Sequence, residues 1–198
     1  MSSPRGEVFL VSGANTGLGN KSVLEYSNHG PAAISLAVRN LGRTSQADGD
    51  IKASQPDLSS LSSQLSMLSR SSLQVRIACN ILKRNAGITA APQGLTKEAM
   101  DCSSEEIISQ AQPSSPHRVT SLVPDAHRHA RNSNIDTASL KTAGESLSVL
   151  GYSGKSKLAR ILSKRHLAGN RPVLMAVAIQ PDVAGTNLTE GSARWFAG

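Results

Sequence analysis

Gly13, Gly17 and Gly19 fall in the run VFLVSGANTGLG, directly after the apolar residues Val8, Phe9, Leu10 and Val11. Glycines at this spacing permit a tight turn and leave no side chain between the backbone and an approaching ligand. Where such a turn opens a helix, the free N–H groups of the first helical turn face that ligand. The helix dipole then favours negative charge there. The chemistry this suits is the binding of a phosphate or diphosphate. A plain strand-to-helix turn uses the same glycines, so the motif alone has two readings. His127 and His129 also suggest a site by residue type, but an i,i+2 pair with no third ligand nearby does not build a metal centre. No metal is expected.

The elements that must position this turn are read from periodicity. Residues 8–11 suit a strand buried on both faces. Leu18, Val23 and Leu24 form a modest helical stripe closing near His29 and Gly30. A second buried-type strand is predicted over 33–38, ending on Arg39 and Asn40. Residues 42–57 are polar and broken by Gly49 and Pro56. A helix is predicted over 58–73, with Leu58, Leu61, Leu65 and Leu68 on one face. The run VRIACNIL reads as a strand leading to Asn85, Ala86 and Gly87. Periodicity fades over 100–129. A helix over 155–167 carries an apolar stripe (Leu158, Ile161, Leu162) and a basic one (Lys157, Arg160, Lys164). The run PVLMAVAI, 172–179, is the strongest strand pattern of all. Strands alternating with helices predict an α/β fold with a mainly parallel sheet, in a single domain over 1–198.

The chain has 21 Lys and Arg against 14 Asp and Glu, a net charge of +7. Such a balance suits nucleic acid, an anionic membrane surface or an anionic cofactor. The cations are scattered and aromatics are only 3% of residues, too few for base-stacking platforms, so nucleic acid is disfavoured. No apolar run reaches membrane-spanning length. The N-terminal apolar run is also too short for a signal-peptide core. Cys79 and Cys102 lack metal-ligand spacing and point to a reducing compartment. A cytoplasmic protein with a small-molecule partner is expected, with no nucleic-acid or membrane partner.

Six strings, SGANTGLG, LAVRN, DLSS, NAGITAAPQGLTKE, SKLARIL and QPDVAGTNL, occur in this order over nearly the whole chain. In them the chain resembles the short-chain dehydrogenase/reductase family, especially its fungal, retinol-dehydrogenase-like members. The resemblance implies a Rossmann-like doubly wound parallel sheet. It also implies an NADP-dependent oxidoreductase that moves a hydride between nicotinamide and a carbonyl or secondary alcohol, in a setting such as fungal secondary metabolism. Gly13, Asn15, Thr16, Gly17, Leu18 and Gly19 are implied to line the diphosphate and adenosine ribose. Arg39 stands where an acidic residue would grip the 2′-hydroxyl of NAD. A guanidinium there implies the 2′-phosphate of NADP, with Arg43 assisting; a solvated surface arginine is the plain alternative. Asp57 and Leu58 are implied to contact the adenine, although Asp57 also suits an N-cap. Asn85, Ala86 and Gly87 are implied to pass beneath the cofactor. Pro181, Val183 and Thr186 are implied to belong to the loop that holds the nicotinamide.

Chemistry in this family uses a Tyr as proton donor or acceptor, a Lys one helical turn away that lowers the Tyr pKa, and a Ser that hydrogen-bonds the substrate oxygen. The SKLA string makes Lys157 the lysine and puts Ser153 at the tyrosine position, with Tyr152 one place early. Five residues on a helix separate Tyr152 from Lys157 by about 140°, whereas Tyr152 and Lys155, three apart, share a face. An irregular turn before the helix, substitution by Lys155, a broken pair, and Tyr152 as a packed aromatic are the alternatives. Val123 and Pro124 occupy the serine places, which leaves Ser121, two residues early, as the serine candidate.

The spacing also implies missing pieces. Between Arg39 and Asp57 relatives carry a helix and a strand, and the third strand is expected to be absent here. The family's Asn-His-containing central helix has no match between Glu98 and Arg118, and its C-terminal strand has no counterpart after ARWFAG. Each large apolar contact so lost costs about 2–5 kcal/mol, against a total stability of ~5–15 kcal/mol. Two readings follow: an active oxidoreductase, or a catalytically impaired remnant or cofactor-binding pseudoenzyme.

Overall fold

All five residues of β1 (Val8–Ser12) are buried, as an inner strand with neighbours on both edges requires. The computed structural model describes residues 4–38, 41, 51–55, 63, 79–87, 118–123, 149–170 and 174–181. After β1 come α1 (Gly17–Ser27), β2 (Ala33–Ala37), β3 (Ile51–Ser54), β4 (Ile81–Arg84), β5 (Arg118–Leu122), α2 (Val149–Asn170) and β6 (Met175–Ile179). The strands form one sheet in the order β3-β2-β1-β4-β5-β6. Every pairing is parallel.

The chain moves one way across the sheet from β1 to β2 and the other way from β5 to β6. Right-handed crossovers therefore place α1 and α2 on opposite faces. On the α1 side Phe9, Val11, Ile34, Leu36 and Val38 pack with Ala14 and Val23. The Tyr26 ring stacks on Phe9 with centroids 4.5 Å apart. On the other face Leu10, Ala37, Cys79, Leu82 and Val119 make a second cluster. Alternation along β1 thus feeds both layers.

The third strand is present, which corrects the expectation that it is missing. β3 pairs with β2 from Ile34↔Ile51 to Ala37↔Ser54, and Val38 N–H donates to the Ser54 carbonyl at 3.0 Å. It lies at the edge of the described sheet, with Lys52 and Ala53 exposed. A short edge strand needs neither an apolar run nor strict alternation, so I-K-A-S reads as loop. β6 differs in the opposite sense. Its apolar run suggests an inner strand, yet Met175 and Ile179 are exposed, because β5 is its only strand neighbour among the described residues.

β4 starts at Ile81, later than the predicted strand, and includes Lys83 and Arg84. Asn80 precedes it and ties it to β1: its N–H donates to the Val8 carbonyl at 3.0 Å, and its Oδ1 accepts from Val8 N–H at 2.8 Å. α2 begins at Val149, six residues before the predicted start. Gly151 and Gly154 weaken helix propensity there without preventing a helix. Of the helix predicted over 58–73, only Ser63 is described, and it is helical. The segments 88–117 and 182–198, where a central helix and a last strand are expected to be lacking, lie outside the described residues.

Candidate functional site

β1 and β4 are neighbours, but the chain leaves them toward opposite edges of the sheet. Their carboxyl ends therefore frame a crevice, the place where open α/β sheets bind ligands. The glycine turn stands at this point. Gly13 has φ +64 and Gly17 φ +57, in the left-handed region. A Cβ on Gly13 would lie 2.7 Å from the Ala86 Cα, and one on Gly19 would lie 2.2 Å from the Gly13 carbonyl oxygen. Both positions therefore require glycine for close backbone approach.

Hydrogen bonds join the turn to the ends of three strands. Gly13 N–H donates to the Ala37 carbonyl at 2.9 Å. Asn85 Nδ2 donates to the Gly13 carbonyl at 2.8 Å. Ser12 Oγ accepts from the Asn85 and Ala86 N–H groups, each at 3.1 Å. Asn85 is thus the residue that locks the turn, a role its place in the motif does not reveal. Thr16, the N-cap of α1, is extended and makes no side-chain cap bond, and the first turn has no acidic residue. Those N–H groups are left for an anion rather than for a capping carboxylate. Asn15, Thr16 and Leu18 are half-buried around them.

From the other side of the crevice, α2 presents a buried basic face. Lys157, Arg160 and Lys164 are all buried, whereas Leu162 of the predicted apolar stripe is exposed. Arg160 Nη2 donates to the Ala86 carbonyl at 3.0 Å. Lys157 Nζ lies 3.5 Å from the point where a Gly87 Cβ would stand, and an Arg160 nitrogen lies 4.0 Å from it. The structure therefore brings Lys157 to Gly87, and Arg160 to Ala86. Lys155 is half-buried. Tyr152 belongs to the continuous helix, so its position is about 140° around the axis from Lys157.

Ser121 is fully buried in β5. In register it follows Ser12 and Arg84 across the sheet, and its side chain is enclosed by the fold. Val123, at one of the serine places, is buried and donates its N–H to the Ile179 carbonyl at 2.8 Å. Pro181 follows β6 and is half-buried. Arg39, Asp57, Leu58, Val183 and Thr186 lie outside the described residues.

Three described groups carry shifted pKa values. Burial lowers that of Lys83, whose Nζ donates to Ser22 Oγ on α1 and lies 5.5 Å from the centre of the Tyr26 ring. Burial raises that of Tyr26, with Arg118 opposing. It also pushes the Cys79 thiol up to about 11. Arg160 and Ser12 are not marked as site residues by sequence alone. For Arg160 the signal was present in its place three residues after Lys157.

No family model matches the chain. The short-chain dehydrogenase/reductase drtF of Aspergillus calidoustus is 25% identical, over 95% of this chain and 70% of its own length. Retinol dehydrogenase 12 of Mus musculus is 25% identical, over 94% of this chain and 64% of its own. In sequence the chain is thus similar to short-chain dehydrogenases/reductases. It spans about two thirds of the length of these two relatives. Among solved structures, a short-chain dehydrogenase from Burkholderia cenocepacia in complex with NADP has a TM-score of 0.66 at 16% identity, covering 96% of this chain and 78% of that one. One from Burkholderia phymatum in complex with NAD has a TM-score of 0.70 at 14% identity, covering 98% and 71%. These likenesses confirm the Rossmann-like α/β fold. No described helix is long and apolar enough to cross a membrane.

Proposed function

We propose that this chain is an NADP-dependent oxidoreductase that interconverts a carbonyl and a secondary alcohol on a small molecule. The observation that carries the reading is the crevice at the ends of β1 and β4, where Gly13 and Gly19 admit no Cβ and the uncapped start of α1 faces outward. This cradle fits a dinucleotide diphosphate: it offers backbone N–H groups, a favourable dipole and no acidic side chain in the first helical turn. Gly13, Asn15, Thr16, Gly17, Leu18 and Gly19 would hold the diphosphate and ribose, and Asn85, Ala86 and Gly87 would pass beneath the cofactor. Asp57 and Leu58 would contact the adenine, and Pro181, Val183 and Thr186 would hold the nicotinamide end. Arg39 follows β2 closely and would favour a 2′-phosphate.

When bound, the reduced cofactor supplies a hydride to the carbonyl carbon. The chain's own residues handle the rest. Lys157 stands beside Gly87, where its Nζ would donate to the substrate oxygen as negative charge develops there. Tyr152, partnered by Lys157 or by Lys155, delivers the proton that completes the alcohol. A cytoplasmic setting agrees with Cys79, a buried free thiol, and secondary metabolism is the setting we favour.

A specific observation supports a second reading, a cofactor-binding pseudoenzyme. Tyr152 and Lys157 sit on different faces of one helix, and Val123 stands where the family resemblance implies a serine. Thermal unfolding with and without NADPH, alongside NADPH consumption against a panel of carbonyls, separates the two. At 100 times Kd, binding adds about 2.7 kcal/mol, a rise of roughly 5–10 °C for a chain of this size. A raised midpoint with turnover supports the oxidoreductase, and a raised midpoint without turnover supports the pseudoenzyme. An unmoved midpoint refutes both.

A further inference from the structure

We propose that Arg160 is a positioning residue, one that ties α2 to the Asn85–Gly87 segment and so sets where Lys157 stands in the crevice. The inference rests on the oxidoreductase reading for its consequence, but its geometry is independent of it. The Asn85–Gly87 segment is held from the sheet side by Ser12 Oγ on two N–H groups and by the Asn85 amide on the Gly13 carbonyl. From the helix side it is held by the Arg160 guanidinium on the Ala86 carbonyl at 3.0 Å. The same residue, Ala86, therefore donates toward β1 and accepts from α2.

Arg160 and Lys157 are one helical turn apart, both buried. Nitrogens of both lie within 4.0 Å of the point where a Gly87 Cβ would stand. Side chains three residues apart on a helix share a face, so a displacement of the Arg160 anchor is carried to Lys157 by the rigid helix. A planar guanidinium holds its donors in a fixed fork, so the bond to the carbonyl fixes the direction of the whole side chain. A lysine keeps one such bond on a flexible stem, and methionine keeps none. The effect on Lys157 should therefore grade with donor geometry.

The test compares R160M, R160K and R160Q with L36A, a variant that loosens the opposite core cluster without touching this segment. In protein carrying 13C-labelled lysine, the Lys157 signal is assigned by its disappearance in K157R. We expect that signal to move in R160M, to return most of the way in R160K, and to stay in place in L36A. Where the wild type turns over, R160M lowers kcat about tenfold with less than a threefold change in KM for NADPH, and R160K recovers at least half of the loss. A Lys157 signal that is unmoved in both R160M and R160Q overturns the proposal, as does an equal shift in L36A. That measurement needs neither cofactor nor turnover. Failure of the oxidoreductase reading shows separately, as a wild-type midpoint indifferent to NADPH.

Discussion

Adding one methyl group at residue 19 separates the site described above from an ordinary turn. In Gly19→Ala the new Cβ would lie 2.2 Å from the Gly13 oxygen and 2.4 Å from Asn85 Nδ2. Real Cβ atoms keep beyond 3.0 Å, so Gly13 and Asn85 must retreat by roughly 1 Å. Their hydrogen bond of 2.8 Å is then stretched past useful length. Overpacking of this kind costs about 1–3 kcal/mol, and leaving a buried amide unsatisfied costs about 1–3 kcal/mol. Together these amount to about 2–6 kcal/mol. At about 2–4 °C per kcal/mol for a chain this long, the thermal midpoint falls by roughly 4–24 °C. The loop also leaves its position against the crevice, so the NADPH-dependent rise in midpoint disappears. Gly169→Ala is the control: nothing lies within 4 Å of its Cβ, and its helical position gains about 0.5–1 kcal/mol in propensity. Differential scanning fluorimetry with and without NADPH reads both variants. A Gly19→Ala protein with the wild-type midpoint and the wild-type NADPH response would refute the reasoning.

Asn85→Ala removes the amide that holds the Gly13 carbonyl. It should lower stability by about 1–3 kcal/mol and weaken NADPH binding in titration calorimetry; unchanged affinity would assign Asn85 to packing alone. Cys79, whose pKa burial pushes up to about 11, keeps its proton longer in the folded than in the unfolded chain. Its contribution is full below the ordinary thiol pKa of 9.0 and is lost as pH rises toward 11. Chemical denaturation should therefore show the wild type losing about 2–3 kcal/mol more than Cys79→Val over that interval; parallel pH profiles would contradict it. Arg39→Ala should raise the Kd for NADPH by about 10–100-fold, the worth of a charge-assisted bond, and leave NADH nearly unaffected. Equal loss for both cofactors would remove Arg39 from the 2′-phosphate.

The part of the site built on short-range chemistry was legible in the chain. The β1–turn–α1 unit needs an apolar run and glycines where φ is positive, and both are written within the twelve residues 8–19. Asn85, Ala86 and Gly87 were also legible as a group, but the bond from the Asn85 amide to Gly13 spans 72 positions and leaves no local trace. Ser121 had the right residue type near the right place, and only the register of β5 beside β4 shows its hydroxyl enclosed.

Sequence by itself determined the alternation of strands and helices, the glycine turn and the basic stripe of α2, because each depends on neighbours within a few residues. Tertiary structure decided that I-K-A-S is a strand: its stability comes from pairing with β2, not from its own side chains. It decided that the basic stripe of α2 faces inward while Leu162 faces out. Periodicity records only that two faces differ, and the inner one is chosen by what lies opposite, here the Ala86 carbonyl that accepts from Arg160. It decided, too, that Tyr152 and Lys157 share one unbroken helix, which sets their positions about 140° apart around its axis.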